Sequence, residues 1–241
     1  MFSLVLFMDL MHLVDCKGVT GIVAGSLLGL LLKRGDLGTT KEERLECINQ
    51  HRARWYAEHP RTHRLPKLLA ANLVLDGWGE LHGPAIKAAA TRACAPWIRD
   101  LALHFCGSGS LEDRTVCQLT EDLVEFYHIL YSEGRFLSEE GLARLKVVTV
   151  RFGEAFMQLR ELARQEGWLL WNVKPKVHKM QHVPLLAEVL NPRYVQNYAE
   201  ESLIGTCTTI WAKSVSGRYR HVAQKTVLVK KMVGLLLHFE L

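Results

Sequence analysis

Apolar and polar positions alternate along this chain in a way that marks out mostly helices. Phe2 to Met8 is a short unbroken apolar run, of strand length, that ends at Asp9. Gly18 to Leu32 is a second uncharged run, flanked by Lys17 and Lys33-Arg34, with Gly21, Gly25 and Gly29 at a spacing that lets a helix pack closely. Thr40 and Glu43 form the signature of a capping box, so a helix is expected from Lys41 to about Glu58, ahead of Pro60. This helix is charged enough to lie at the surface, with Cys47 and His51 along one edge.

Residues 60–83 are broken by proline and glycine and read as a connector carrying one short helix. A helix opened by Pro84 should run to about Phe105, kinked or split at Pro96. After the Gly107-Ser108-Gly109 loop, Ser110 and Asp113 begin a helix in which Val116, Leu119, Leu123, Phe126 or Tyr127, and Leu130 recur at helical spacing. Ser138 caps the next, whose stripe runs from Leu142 through Phe152 and Phe156 to Leu162. Joined by Glu133-Gly134-Arg135, the two should pair as an antiparallel hairpin.

Gly167 to Trp171 breaks that pattern, and Pro175 suits the first position of a helix starting at Lys174. On it His178, His182, Leu185 and Val189 share a sector, bent at Pro184. Histidines on such a stripe serve either as core residues or as hydrogen-bonding groups facing an acid or a phosphate. Beyond the Asn191-Pro192-Arg193 turn, Tyr198 to Ser214 is helical in pattern. Leu203, Ile204, Cys207, Ile210 and Trp211 form its apolar face, with Glu200 near the middle and Glu201 at the edge.

An acid at the end of a buried strand is costly unless water, a metal or a substrate meets it, which makes Asp9 a candidate metal ligand. The residues that follow it, Asp9-Leu10-Met11-His12 and then G-V-T-G-I-V-A-G-S-L-L, resemble the D-x-M-H segment of CACTA-like (En/Spm-type) DDE transposases. Lys174-Pro175-Lys176-Val177-His178 with His182 resembles that family's K-P-K-x-H-x-x-x-H segment. Asn197-Tyr198-Ala199-Glu200-Glu201-Ser202 resembles its aromatic-x-x-E segment.

The resemblance implies a fold that is mainly α, a helical insertion-type domain with a remnant of an RNase H-like α/β core holding one N-terminal strand at most. Its parts would be residues 1–36 as the core remnant, 37–172 as the helical insertion, and 173–241 as a C-terminal segment carrying the third acid and a basic face. Asp9 would be the second of three metal-binding acids, and Glu201, or Glu200 one register away, the third. Three carboxylates holding Mg²⁺ or Mn²⁺ would drive phosphoryl transfer in DNA strand cleavage and joining. The first acid of that pattern belongs on a strand upstream of Phe2, so the sequence reads as a truncated or decayed element, inactive alone. Further transposase subunits, or a separate N-terminal region, are the implied partners.

Charge sharpens the picture. The 241-residue chain carries a formal +5, yet from Ser202 to Phe239 it has no acid and six lysines or arginines. The body is near neutral and its C-terminal part basic, which suits a polyanion, although a solvated helix face has the same composition. Candidate DNA contacts are Lys174, Lys176, His178, Lys179, His182, Lys213, Arg218, Arg220 and Lys225, weak, sequence-independent and salt-sensitive.

Composition excludes other classes. Six cysteines without a C-x-x-C pair read as reduced thiols of a nuclear or cytoplasmic protein, and His104, Cys106 and Cys117 do not have a zinc-site spacing. The absence of G-x-S-x-G and G-K-[ST] motifs removes serine hydrolase and P-loop readings, and no small-molecule cofactor is indicated. A bilayer span needs about 20 apolar residues, and extending the 18–32 run brings in Asp15, His12 and Asp9. A buried helix is therefore preferred to a membrane anchor, and no basic residue precedes the first apolar run as a signal peptide requires. The rival to a transposase remnant is a non-catalytic helical interaction module in which Asp9 is a loop acid.

Overall fold

The structure, a computed structural model, describes residues 9–15, 17–60, 62–73, 77–83, 86–107 and 109–195. All belong to one compact unit, Met1–Val195. The expected strand at 2–8, Glu200, Glu201, the helix at 198–214 and the basic positions Lys213, Arg218, Arg220 and Lys225 lie outside the described residues. Among the described residues the fold is helical, and the one β-type pairing is an isolated antiparallel bridge between Leu73 and Leu81.

The centre is α1, Val19–Arg34, whose residues Val19 to Leu32 are all buried. A helix apolar on every side belongs inside a core, and here α4 (Ala95–Phe105), α5 (Leu111–Ser132) and other elements surround it. Met11–Arg34 is long and apolar enough to cross a membrane, but 94% of its most apolar window is buried by protein. Gly35, in the left-handed conformation at φ 85°, ends α1.

Gly25 is the point of closest approach. A Cβ there would fall 2.3 Å from the carbonyl carbon of Glu80, because residues 79–81 lie directly against α1. Their backbone is held on both sides: Leu81 N–H donates to Gly21 O at 3.0 Å, and Gly79 N–H donates to Leu169 O at 2.9 Å. Ser26 completes the clamp. Its buried hydroxyl donates to Gly79 O at 3.0 Å and accepts from Trp171 N–H at 2.9 Å. Three segments distant in sequence are thus stitched through one small side chain.

Local signals set most helix ends. In α2, Lys41–Glu58, Thr40 accepts from Glu43 N–H and Glu43 reaches back to the Thr40 N–H, the expected capping box. Ser110 and Ser138 cap α5 and α6 (Glu139–Gln165) by accepting from Asp113 and Gly141 N–H, each at 3.0 Å. α5 and α6 form the expected hairpin, with Val116, Leu119, Leu123, Phe126 and Leu130 facing Leu145, Phe152, Phe156 and Leu159 within one core. Asn191, fully buried, buttresses the turn by donating to Leu130 O and Gly134 O, each at 2.9 Å.

The split at Pro96 is as expected: α3 (Ala88–Ala93) ends before it and α4 restarts with Pro96 in its first turn, where a missing N–H is harmless. Two boundaries differ from expectation: α3 starts at Ala88 and not at Pro84, and the region after Lys174 is divided. The expected bent helix after Lys174 is two short ones, α7 (Pro175–Met180) and α8 (Val183–Ala187). Pro184 has no N–H for the carbonyl of Met180 and its ring crowds it, so the chain breaks at Gln181-His182 instead of bending.

Candidate nucleic-acid and metal site

Asp9 does not end a strand among the described residues. It starts the short π-helical turn Met11–Asp15: its carbonyl accepts from Leu13 N–H at 3.0 Å, its Oδ1 from Met11 N–H at 3.0 Å, and its Oδ2 pairs with His12 Nδ1. A carboxylate in this position satisfies the open N–H groups of a helical turn, a structural use for the acid. Both oxygens therefore have local partners, and among the described residues no group of three or more His, Cys, Asp or Glu is arranged to hold a metal. Asp9 alone does not make a Mg²⁺ or Mn²⁺ site.

The segment that follows is anchored by a buried polar cluster. Tyr127 on α5 donates to Asp15 Oδ1, and its hydroxyl lies 2.7 Å from Thr20 Oγ1. Asp15 is 1% exposed, so this contact replaces water that the carboxylate has lost.

α7 lies against the same N-terminal turn and against α1. Lys176 Nζ donates to the Lys17 carbonyl at 3.2 Å, beside the exposed Lys17 side chain. Lys174 pairs with Glu80 at 2.6 Å, and Asn172 donates to the other Glu80 oxygen at 3.2 Å. Lys179 is exposed. The turn Met11–Asp15 with Lys17 and the α7 segment, far apart in sequence, are thus neighbours. Glu80 and Lys17 were not legible as parts of this neighbourhood, because nothing in their local sequence marks a contact 94 or 159 residues away.

His178 and His182 are both exposed, as are Leu185 and Val189, so the shared sector faces solvent and Val177, Met180, Val183 and Ala187 face the core. Neither histidine is a core residue or touches an acid among the described residues. They touch each other, Nε2 to Nε2 at 3.2 Å.

His51, His104, Cys106 and Cys117 have structural surroundings. His51, buried on the inner edge of α2, accepts from Trp97 Nε1 at 3.2 Å through Nδ1, which leaves the proton on Nε2 facing Asp100 at 3.3 Å. Burial pulls its pKa below the usual 6.5, against the opposing pull of Asp100. His104 lies beside His51, with ring centroids 5.1 Å apart and the planes tilted by 42°. Burial pushes the Cys106 thiol up to about 12 and raises Cys117 as well, so neither is a reactive thiolate on its own. Arg34 binds Glu112 and Asp113 at the start of α5; burial opposes its charge, but the two carboxylates outweigh that and raise its pKa. On the outer side of the hairpin, burial raises the Asp122 carboxyl while Arg151 pulls it back. An open cavity of about 420 Å³ between α3, α4 and α5 is lined by Arg92, Pro96, Val124, Tyr127, His128 and Tyr131 and contains no acid.

Compared with protein-family models, curated proteins and solved structures, the chain matches none.

Proposed function

We propose that this chain derives from a CACTA-like DDE transposase and that its present capacity is weak, sequence-independent contact with DNA. One observation supports this reading: the turn Met11–Asp15, which holds the end of the D-x-M-H-like segment, packs against α7, which holds most of the K-P-K-x-H-like one, and Lys176 donates to the carbonyl of Lys17 just beyond that turn. A remnant of an RNase H-like site would bring these two parts of the chain together, and the packing of α7 on the N-terminal turn is compatible with that. Asp9 and Glu201, or Glu200, would be the acids of the ancestral Mg²⁺ or Mn²⁺ centre. The DNA-facing groups would be Lys174, Lys176, Lys179, His178 and His182, with Lys213, Arg218, Arg220 and Lys225 extending them.

The test is fluorescence anisotropy of the full chain with duplex DNA across a salt series. Neutralising about three phosphates makes the affinity fall roughly 40-fold between 50 and 200 mM salt. Absence of binding at the low end, or binding indifferent to salt, would overturn the DNA reading.

The second reading, a non-catalytic helical interaction module, draws on the local use of Asp9 as a helix-turn acid and on exposed apolar side chains of α6 and the α8 region. Val147, Val150, Met157, Leu185 and Val189 are each more than half exposed. Salt-insensitive capture of a defined protein together with no DNA binding would favour it.

A further inference from the structure

We infer that His178 and His182 form a two-imidazole chelate for a divalent transition-metal ion of the zinc, nickel or copper class, a site separate from any carboxylate centre. The proposal does not depend on the DNA reading. It rests on the geometry of the two rings.

Two imidazoles that share one metal at 2.0–2.1 Å, with a bite near tetrahedral, hold their nitrogens about 3.3 Å apart. The observed Nε2 to Nε2 separation is 3.2 Å, corresponding to a bite of about 103°. Ring placement separates this arrangement from a simple hydrogen bond. With both rings pointing at a common metal, the centroids fall about 5.0 Å apart, whereas a head-on N–H···N bond between them would put the centroids about 5.5 Å apart. They are 4.8 Å apart, with the planes at 88°. This separation is nearer to the convergent, shared-metal arrangement than to a head-on hydrogen bond.

The backbone explains the convergence. His178 lies in the last turn of α7 and His182 is the residue that opens α8, four positions on, so the break at Gln181 keeps the i, i+4 juxtaposition on one exposed side. Two ligands leave an open coordination sphere, to be completed by water or by an anionic group. Lys179 next to His178 favours an anion as the further ligand and lowers the affinity for a bare dication, whereas Lys174 is already neutralised by Glu80. Imidazole suits zinc, nickel and copper, and it does not suit magnesium or calcium.

The experiment is calorimetric titration of the full chain with zinc chloride, repeated with His178→Ala, His182→Ala and, as a control, the exposed His63→Ala. Copper titration followed by electron paramagnetic resonance provides a second readout. Expected are one saturable zinc site, weakened at least tenfold by either α7–α8 variant and unchanged in His63→Ala, and a copper spectrum showing two nitrogen ligands that loses one in each variant. Because both side chains are exposed, circular dichroism of the variants should match the parent. The proposal is overturned if the parent takes up no zinc at millimolar ion, or if uptake and the copper spectrum survive both substitutions.

Discussion

The phenol of Tyr127 donates to the carboxylate of Asp15, 112 residues earlier, and touches Thr20 Oγ1 with the same oxygen. This buried contact fixes the N-terminal turn to the α5–α6 hairpin. Tyr127→Phe removes a donor from a carboxylate that water does not reach. The expected loss is about 2 kcal/mol in urea unfolding. Asp15→Asn, which removes the charge and keeps an acceptor, should cost less.

Gly25 and Ser26 give a paired test of the clamp on residues 79–81. Gly25→Ala forces a methyl into the Glu80 backbone, and an overpacked helix contact of this kind costs about 3 kcal/mol. Ser26→Ala leaves Gly79 O and Trp171 N–H without their shared partner, for about 2 kcal/mol. Thermal unfolding of each variant checks both, and an alanine at 25 that leaves the midpoint unchanged would contradict the close approach.

His51 makes stability depend on pH with a definite sign. Burial holds the folded imidazole neutral below its ordinary 6.5; Asp100 and Glu58 favour its charge, and His104 and Arg54 oppose it. The unfolded chain therefore takes up a proton first. The contribution is complete above about pH 6.5 and is lost progressively as pH falls through the lower folded value. Denaturation curves from pH 8 to pH 5 should show this decline, and His51→Gln should flatten that part of it.

For the DNA reading, Lys179→Ala should weaken binding equally for unrelated duplexes and reduce the salt slope by about 1. Lys174→Ala should have less effect on the slope, because Glu80 already pairs with that lysine. Equal slopes for parent and Lys179→Ala would remove α7 from the interface.

How far the fold was legible follows from the range of the forces involved. The Thr40, Ser110 and Ser138 caps, the split at Pro96, the hairpin and the buried glycine-bearing helix are set within a few residues, by backbone satisfaction, proline's missing donor and apolar spacing. The mainly helical class was therefore readable from the chain. The candidate site was less so. Asp9 reads as an acid left over at a strand end, yet the N–H of Met11 and the ring of His12 occupy it.

The sequence by itself determined the mainly helical class and the helix starts that carry a capping serine or threonine. Only the tertiary structure decided which sides of the helices face inward. Around α7 and α8 two sectors compete, His178, His182, Leu185 and Val189 against Val177, Met180, Val183 and Ala187, and both carry enough apolar surface to be buried. The choice depends on the neighbours: α6, α1 and the N-terminal turn accept the second sector, and the two imidazoles are left side by side in solvent. Periodicity can propose a face, but burial is a property of two surfaces that meet.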